Sequence, residues 1–488
     1  MTTTAFEIGT AARNIIGGEF ATGTGDETID VYNPTTGALI DTLRASSIAD
    51  ADAAVAAAEA AFDDWSGLSL PRRVAHLIKV RAILDENIEL IAATTNRDHG
   101  KTLEDARGEV VRAMDFLDTA IAAPMIYHAD SISIAPGLDA RRVRESLGVC
   151  LAVTPSNFPV MNTVQFTSWA LVTGNTLIIK ASEADPIAST TVLGLIQDAL
   201  PKGVLNLVHG HADIVKHMIA HPSVQAVSCI TSSPTAKAIY AAAAQAGKRV
   251  QANGGAKNPI VIAEDADIDV AVNGIIMSAY GMAGQRCLAG DRLVVIGDVY
   301  DKLLPALTTA IDAIVTGDGA VEGVTMGPVI SAGSRDRLLQ FLAAAQDQGA
   351  TFHRDGRDVI PVGQDTAGGY FLGPTLIEGL EPGSDLEAAE LFGPVLVIHR
   401  VPDLAAAIAL SNNTDFGNAA SIFTRTGAVA AEYERRVRAG NVGVNTFPGP
   451  AAFITMGGYG TSFYGDSHVC GAAPLDFFTD QKLVVTRW

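Results

Sequence analysis

At 488 residues the chain exceeds what one simple hydrophobic core organises, so two or three domains are expected. A composition 48% hydrophobic and 18% charged is that of an ordinary globular enzyme, and a formal net charge of −20 excludes a surface built to hold nucleic-acid phosphates. Four cysteines, Cys150, Cys229, Cys287 and Cys470, stand far apart with no CxxC pair, which excludes zinc-ribbon and disulfide-scaffold spacings, so no metal is expected.

The opening MTTTAFEIGTAARN carries an acid and no apolar h-region, so no signal peptide is expected. The apolar stretches are broken well short of the roughly 20 residues that span a bilayer, and a cytoplasmic protein without membrane contact is the expectation. Residues 48–64 (IADADAAVAAAEAAFDD) predict an Ala-rich helix whose acidic start suits the helix dipole. Helical patterning continues over 71–123 with a break near Asp98–Gly100. Over 126–148 the text alternates (SISIAPGLDARRVRES) and predicts an arm or hairpin rather than core.

From residue 147 strands and helices alternate. The runs 147–153 (LGVCLAV), 175–179 (NTLII), 203–208 (GVLNLV), 224–230 (VQAVSCI) and 259–263 (PIVIA) predict buried parallel strands, with helices at 186–200 and 234–246 between them. That is the pattern of a doubly wound α/β nucleotide-binding sheet. A second αβ series runs from about 268 to 445, and 474–488 ends in a short apolar strand. The expected partition is a cofactor domain at 1–125 and 149–255, a catalytic domain at 256–445, and an arm at 126–148 and 470–488. No G-x-G-x-x-G turn is present. At 231–236, after VSCI, stands TSSPTA, where Ser232 could meet a cofactor; a plain N-cap with Pro in the first turn explains the same letters.

Several residues could carry chemistry, each with a bland alternative. Cys287 in GMAGQRCLAGD has Arg286 beside it and glycines around it, as a reactive thiolate needs, although a buried cysteine is commonly inert. Asn157 in TPSNFPVM follows a predicted strand and could donate to an oxyanion, or simply hold a turn. Lys180 and Glu183 end the strand NTLIIK, where an acid can accept from a ribose hydroxyl; a solvated strand-end pair fits equally. Glu390 and Phe392 in AAELFGPVLV could hold a ribose and a flat ring, or merely close a loop onto a strand.

Taken together, HGKTLEDARGEV, TPSNFP, GNTLIIKASE, GAKNP, GQRC, ELFGPV and GNVGVN, in this order, resemble the aldehyde dehydrogenase superfamily over nearly the whole chain. The resemblance implies that fold, with Cys287 as nucleophile, Asn157 as oxyanion donor, and Lys180, Glu183 and Ser232 on the adenosine and pyrophosphate side of NAD. It implies Glu390 and Phe392 on the nicotinamide side, and an oligomerising arm joining two or four copies. A different class, a silent family member acting as a binding or structural protein, stays open until turnover is measured.

The most informative departure is QANGGAKNP. Hydrolytic members carry there a Glu that activates water; Asn253 cannot accept a proton at neutral pH. The branch resembling methylmalonate and malonate semialdehyde dehydrogenases also has Asn here and passes its acyl group to coenzyme A. Arg112 in HGKTLEDARGEVVRA, Arg286 in GQRC and the stretch TSFYGDSH are similar to that branch, and two arginines could clamp a substrate carboxylate; Arg112 also fits a solvated helix face. Other letters depart from the branch: Thr231-Ser232 at the cofactor turn, Ser156 before Asn157, Gln165 for a Trp, and the loop TFPGPAAFITMGGYG. The reading is therefore an NAD-dependent, CoA-acylating oxidation of a small semialdehyde. The alternative within the class is release of a free acid with another base.

Overall fold

The computed structural model describes residues 7–126, 130–449 and 451–487. The first six residues, residues 127–129 of the expected arm, Pro450 and Trp488 lie outside the described residues.

A capping box starts the first long helix, Ile48–Ser66: Ser47 Oγ accepts from the Asp50 N–H while the Asp50 carboxylate accepts from the Ser47 N–H. Ala51, Ala54 and Ala58 are small enough to bring this helix close onto strands Thr176–Lys180 and Leu205–Val208. The helical pattern of 71–123 resolves into Leu70–Glu86, Ile88–His99 and Leu103–Ile121. The expected break falls where Gly100 adopts φ +87°, and a second, unexpected one falls at Asn87, whose amide donates to the Ile83 carbonyl.

The first sheet has a parallel centre in the order Arg249–Asn253, Val224–Ile230, Val149–Val153, Thr176–Lys180, Leu205–Val208. Antiparallel strands close both edges, Asn14–Ile16 with Glu19–Ala21 on one and Phe463–Tyr464 on the other. Strand order reverses at Val149–Val153, so the chain leaves this strand and Val224–Ile230 in opposite directions and opens a crevice beyond their carboxyl ends.

One strand assignment needs correction. The fifth strand of this sheet is Arg249–Asn253, whose letters RVQAN look polar although Gln251 and Ala252 are buried. The 259–263 run belongs elsewhere: Asn258–Ile262 sits in a second, seven-stranded sheet between Gly290–Ile296 and Ala419–Phe423. An apolar run reports that a strand is buried, not which sheet buries it.

The second sheet continues through Val395–Val401, Thr375–Glu378 and Thr351–Arg354 on one side and Asn441–Val444 on the other. A third sheet pairs Ser131–Ala135 with Leu138–Ser146, and the latter with Thr479–Arg487 along nine residue pairs. Ile132, Ile134, Leu483 and Val485 are exposed on it. Helix Pro159–Val172 is buried all round and packs on Leu103–Ile121, as an apolar helix without a polar face must. Among the described residues no helix is long and apolar enough to cross a membrane.

Candidate active site

A cleft of about 720 Å³ opens where the strand order reverses. Cys287, Asn157, Lys180, Glu183, Ser232, Glu390 and Phe392, far apart in sequence, all line it.

Cys287 follows a distorted helix end. Met282, Ala283 and Gly284 carry φ of 52°, 53° and 69°, a left-handed run that costs the two non-glycine residues about 1 kcal/mol or more each. A Cβ on Gly284 would stand 2.3 Å from the Gly393 carbonyl oxygen, so the lead-in to Cys287 lies directly on the loop carrying Glu390 and Phe392. Buried Gln285 locks it, donating to the Met282 and Pro328 carbonyls and accepting from the Ile330 N–H at 2.8 Å. Cys287 is half-buried. Burial pushes its thiol up to about 11, outweighing the downward pull of a backbone N–H, the Asn418 amide and Arg286. The electropositive setting expected from Arg286 is present, but desolvation is stronger.

Asn157 is held from two sides. Its Nδ2 donates to the Gln285 carbonyl at 3.0 Å, and its own carbonyl accepts from Lys101 Nζ at 2.8 Å. Lys101 is fully buried against Glu109 at 2.5 Å, and Glu109 Oε1 accepts the N–H groups of Val160 and Met161 at 2.8 and 2.9 Å. An acid thus caps helix Pro159–Val172, a cation neutralises the acid, and that cation fixes the Asn157 backbone.

On the other wall Lys180 Nζ meets Glu183 Oε1 at 2.5 Å, and burial lowers the Lys180 pKa against the pull of that carboxylate. Ser232 caps helix Ser233–Gln245 without a side-chain cap bond; its hydroxyl goes to Thr235 Oγ1 at 3.1 Å, and both residues line the cleft. Glu390 Oε1 accepts from the Ala256 N–H at 2.7 Å. Burial, reinforced by Asp291, pushes the Glu390 carboxyl up to about 7. Phe392 sits at φ +49°, a strained backbone for an aromatic residue.

The remaining expected residues lie outside the cleft wall. Arg112 is half-exposed on Leu103–Ile121 and pairs with Asp115 at 3.1 Å. Arg286 donates to the Met277 carbonyl, and to that of Ser278 at 3.1 Å, and lies 5.2 Å from the Phe447 ring centre. Burial lowers its pKa, countered by Asp105 and Cys287. Asn253 ends its strand and donates to the Cys229 carbonyl at 3.2 Å, one residue before Gly254 and Gly255 of the wall. Gln165 is buried and donates to the Val469 carbonyl at 2.8 Å, tying helix Pro159–Val172 to the C-terminal segment.

The family model described as the aldehyde dehydrogenase family matches residues 20–484. The chain belongs to the aldehyde dehydrogenase family. Malonate-semialdehyde dehydrogenase 2 of Geobacillus thermodenitrificans is 38% identical over 479 residues, 97% of this chain and 98% of that one. The malonate-semialdehyde dehydrogenase of Halalkalibacterium halodurans is 37% identical, covering 98% of this chain and 99% of its own. Among solved structures, methylmalonate-semialdehyde dehydrogenase from Oceanimonas doudoroffii superposes with a TM-score of 0.95 at 34% identity, covering 98% of each chain. A protein from Sinorhizobium meliloti 1021, assigned as a methylmalonate-semialdehyde dehydrogenase and complexed with NAD, gives the same TM-score, identity and coverage. The aldehyde dehydrogenase fold expected from the motifs is the fold of this chain.

Sequence reasoning passed over several residues that build this family member's site. Arg337 donates to the carbonyls of Glu390 and Leu391, and Lys257 to that of Ala389, pinning the ELFGP loop from outside. Asn258 and Asn418 both donate to the Cys287 carbonyl, at 2.9 and 2.8 Å. Lys101 and Asn258 lie inside quoted motifs, but Asn418 reads as a turn residue before an apolar strand and gives no local signal.

Proposed function

We propose that this aldehyde dehydrogenase oxidises a short semialdehyde with NAD and transfers the acyl group from Cys287 to coenzyme A. The observation that carries this reading is Asn253. Its amide is committed to the Cys229 carbonyl, and an amide has no proton-accepting form at neutral pH. Asn253 therefore supplies no water-activating base, whereas a thiol co-substrate needs less help than water. The malonate- and methylmalonate-semialdehyde dehydrogenases among its relatives support a substrate ending in a carboxylate.

The donor set fits a dinucleotide: an acid at a strand end, a helix start without a side-chain cap at the cleft wall, and Gly255, where a Cβ would meet Glu390 Oε2 at 2.2 Å. NAD, when bound, supplies the hydride acceptor. Glu183, aligned by Lys180, accepts from the adenosine ribose; Ser232 and the helix start hold the pyrophosphate; Glu390 and Phe392 hold the opposite end. The Cys287 thiol gives its proton to water and its sulfur attacks the aldehyde carbon, and the Asn157 amide and the Cys287 N–H stabilise the resulting oxyanion. Asn157 Nδ2 has two hydrogens and Gln285 takes one, so the second is free for this task. Collapse expels hydride and leaves a thioester on Cys287, from which the CoA sulfur takes the acyl group. Arg112 and Arg286 hold the substrate carboxylate, Arg286 by turning from Met277.

In this reading the domain of residues 1–125 and 149–255 carries the cofactor and 256–445 carries the nucleophile. The third sheet's exposed Ile132, Ile134, Leu483 and Val485 join copies into a homodimer or homotetramer. Four unpaired cysteines fit the reducing cytoplasm.

Product analysis over short semialdehydes, with and without CoA, tests the acyl step. Without CoA a burst of about one NADH per site should precede slow turnover, because deacylation limits. CoA should speed the steady state and shift product to acyl-CoA, and Asn253→Glu should restore CoA-independent acid. A second reading rests on Glu390, one of two carboxylates lining the cleft, held near pKa 7 and therefore able to accept a proton from water. Fast, CoA-indifferent release of acid by the native protein, abolished by Glu390→Gln, would replace the acylating reading with that one.

A further inference from the structure

Lys101 is fully buried and spends its ammonium on the segment that begins at Asn157. Nζ donates to the Asn157 carbonyl at 2.8 Å, pairs with Glu109 Oε2 at 2.5 Å and lies 4.9 Å from the centre of the Phe158 ring. Glu109 in turn accepts from the N–H groups of Val160 and Met161, so every residue from 157 to 161 except Pro159 is held by this one pair. Lys101 is placed by its own neighbours. The Asn96 amide donates to the Lys101 carbonyl at 2.7 Å, and the chain turns out of helix Ile88–His99 into Lys101 at Gly100. A Cβ on Gly100 would stand 2.6 Å from Pro328 Cγ, so the Pro328 ring packs against that turn. The Pro328 carbonyl accepts from Gln285 Nε2 at 3.3 Å, and the Gln285 carbonyl accepts from Asn157 Nδ2 at 3.0 Å. The contacts close a ring that runs from Asn157 through Lys101, Gly100, Pro328 and Gln285 back to Asn157. One side of the ring fixes the Asn157 backbone and the other fixes its side-chain amide, which together set the direction of the second Nδ2 hydrogen.

We propose that Lys101 is a positioning residue for aldehyde oxidation: by holding the Asn157 backbone it aims the free Nδ2 hydrogen at the point where the aldehyde oxygen becomes negative. The inference rests on the reading of Asn157 as oxyanion donor and concerns what makes that donor effective. A neutral amide stabilises an oxyanion best when it is already aimed, because reorienting it during the reaction would cancel much of the gain. A displacement of about 1 Å is enough to cost on the order of 10²-fold in rate. The buried pair suits this task better than it suits stability. Taking two charges out of water offsets most of their attraction, and well-packed apolar residues of similar volume hold a core as well. Apolar residues cannot grip a carbonyl. A cation donating to one makes a shorter and stronger bond than a neutral donor does, and dry surroundings strengthen it further.

The test compares Lys101→Met and the double variant Lys101→Met/Glu109→Gln with the native protein, each also in an Asn157→Ala background. The readouts are the NADH burst rate, NAD binding by fluorescence quenching, and urea unfolding. Lys101→Met leaves Glu109 buried without its partner and should lose both stability and burst rate. Adding Glu109→Gln removes the stranded charge and keeps an oxygen for Val160 and Met161. Stability should then return toward native while the burst stays roughly ten- to a hundredfold slow. If the single variant does not fold, the double variant carries the comparison. NAD binding should stay within about twofold of native, so that the loss falls on the chemical step. In the Asn157→Ala background the same substitutions should change the burst by less than about twofold, because the amide through which Lys101 acts is gone. A double variant whose burst is less than about tenfold below native overturns the proposal. So does an equal loss in both backgrounds, which is what a merely structural lysine would give. Asn157→Ala alone separates the two readings. A native-like burst in that variant removes the oxyanion assignment and the proposal with it, whereas a slow burst there beside a native-like double variant removes only the positioning role.

Discussion

Truncating Asn157 to alanine should damage chemistry far more than folding, and the structure allows the two to be separated. The Asn157 amide donates to the Gln285 carbonyl at 3.0 Å in a buried setting, so the variant leaves that carbonyl unpaired, at a cost of about 1–3 kcal/mol in stability. The Lys101 bond is to the Asn157 backbone, and the Glu109 bonds are to Val160 and Met161, so the loop and helix start keep their anchors. The second amide hydrogen, the one assigned to the oxyanion, is lost altogether. Removing one such donor elsewhere costs about 2.7–4 kcal/mol, or roughly 10²–10³ in rate. Stopped-flow measurement of the NADH burst at saturating NAD and aldehyde should therefore show a fall of that size. NAD binding, read by fluorescence quenching, should stay within about twofold, because the cofactor residues lie on other elements. Asn157→Asp, equal in size but without a donor, should be at least as slow. A burst rate within tenfold of native, in a variant that loses stability by the expected amount, would reduce Asn157 to a turn residue.

Other expectations follow from the same geometry. The Glu390 carboxyl, lifted to about 7 by burial, is ionised only above that pH, so KM for NAD should rise as pH falls through 7, and Glu390→Gln should flatten the profile at a uniformly weaker level; a flat native profile between pH 5.5 and 8 would contradict its role. Glu183 should make the enzyme prefer NAD to NADP, and Glu183→Ser, leaving Lys180 unpaired, should shift the kcat/KM ratio toward NADP by about tenfold or more; equal use of both by the native enzyme would mean that Glu183 points elsewhere. Burial opposes the charge on Glu387, but hydrogen bonds from His399 and Arg292 outweigh it and draw the carboxyl down to about 2. Its contribution to stability is present above the unfolded value near ~4.3 and is lost as pH falls from there through about 2. Glu387→Gln leaves the fully buried Arg292 unpaired and should cost about 3–5 kcal/mol in urea unfolding at pH 7, a loss below about 1 kcal/mol refuting the pair's importance.

The sequence by itself determined the periodic parts of this protein: the Ala-rich helix at 48, the strands at 149, 176, 205 and 224, and the alternating arm. These depend on neighbours along the chain, where 2.0- and 3.6-residue periods and helix caps act locally. It also carried the departure on which the proposed acyl transfer rests, because the amide at position 253 cannot accept a proton at neutral pH. Only the tertiary structure decided which sheet takes an apolar run, since burial leaves the same letters in either: the 259–263 run lies in the second sheet, and polar-looking RVQAN lies inside the first. It alone decided the electrostatics of Cys287. Arg286 is adjacent in sequence yet turns toward the Met277 carbonyl, while Asn418, 131 positions away, reaches Cys287. Field and desolvation depend on distance through space, and Asn418 and Glu390, which act on Cys287 here, stand far from it along the chain.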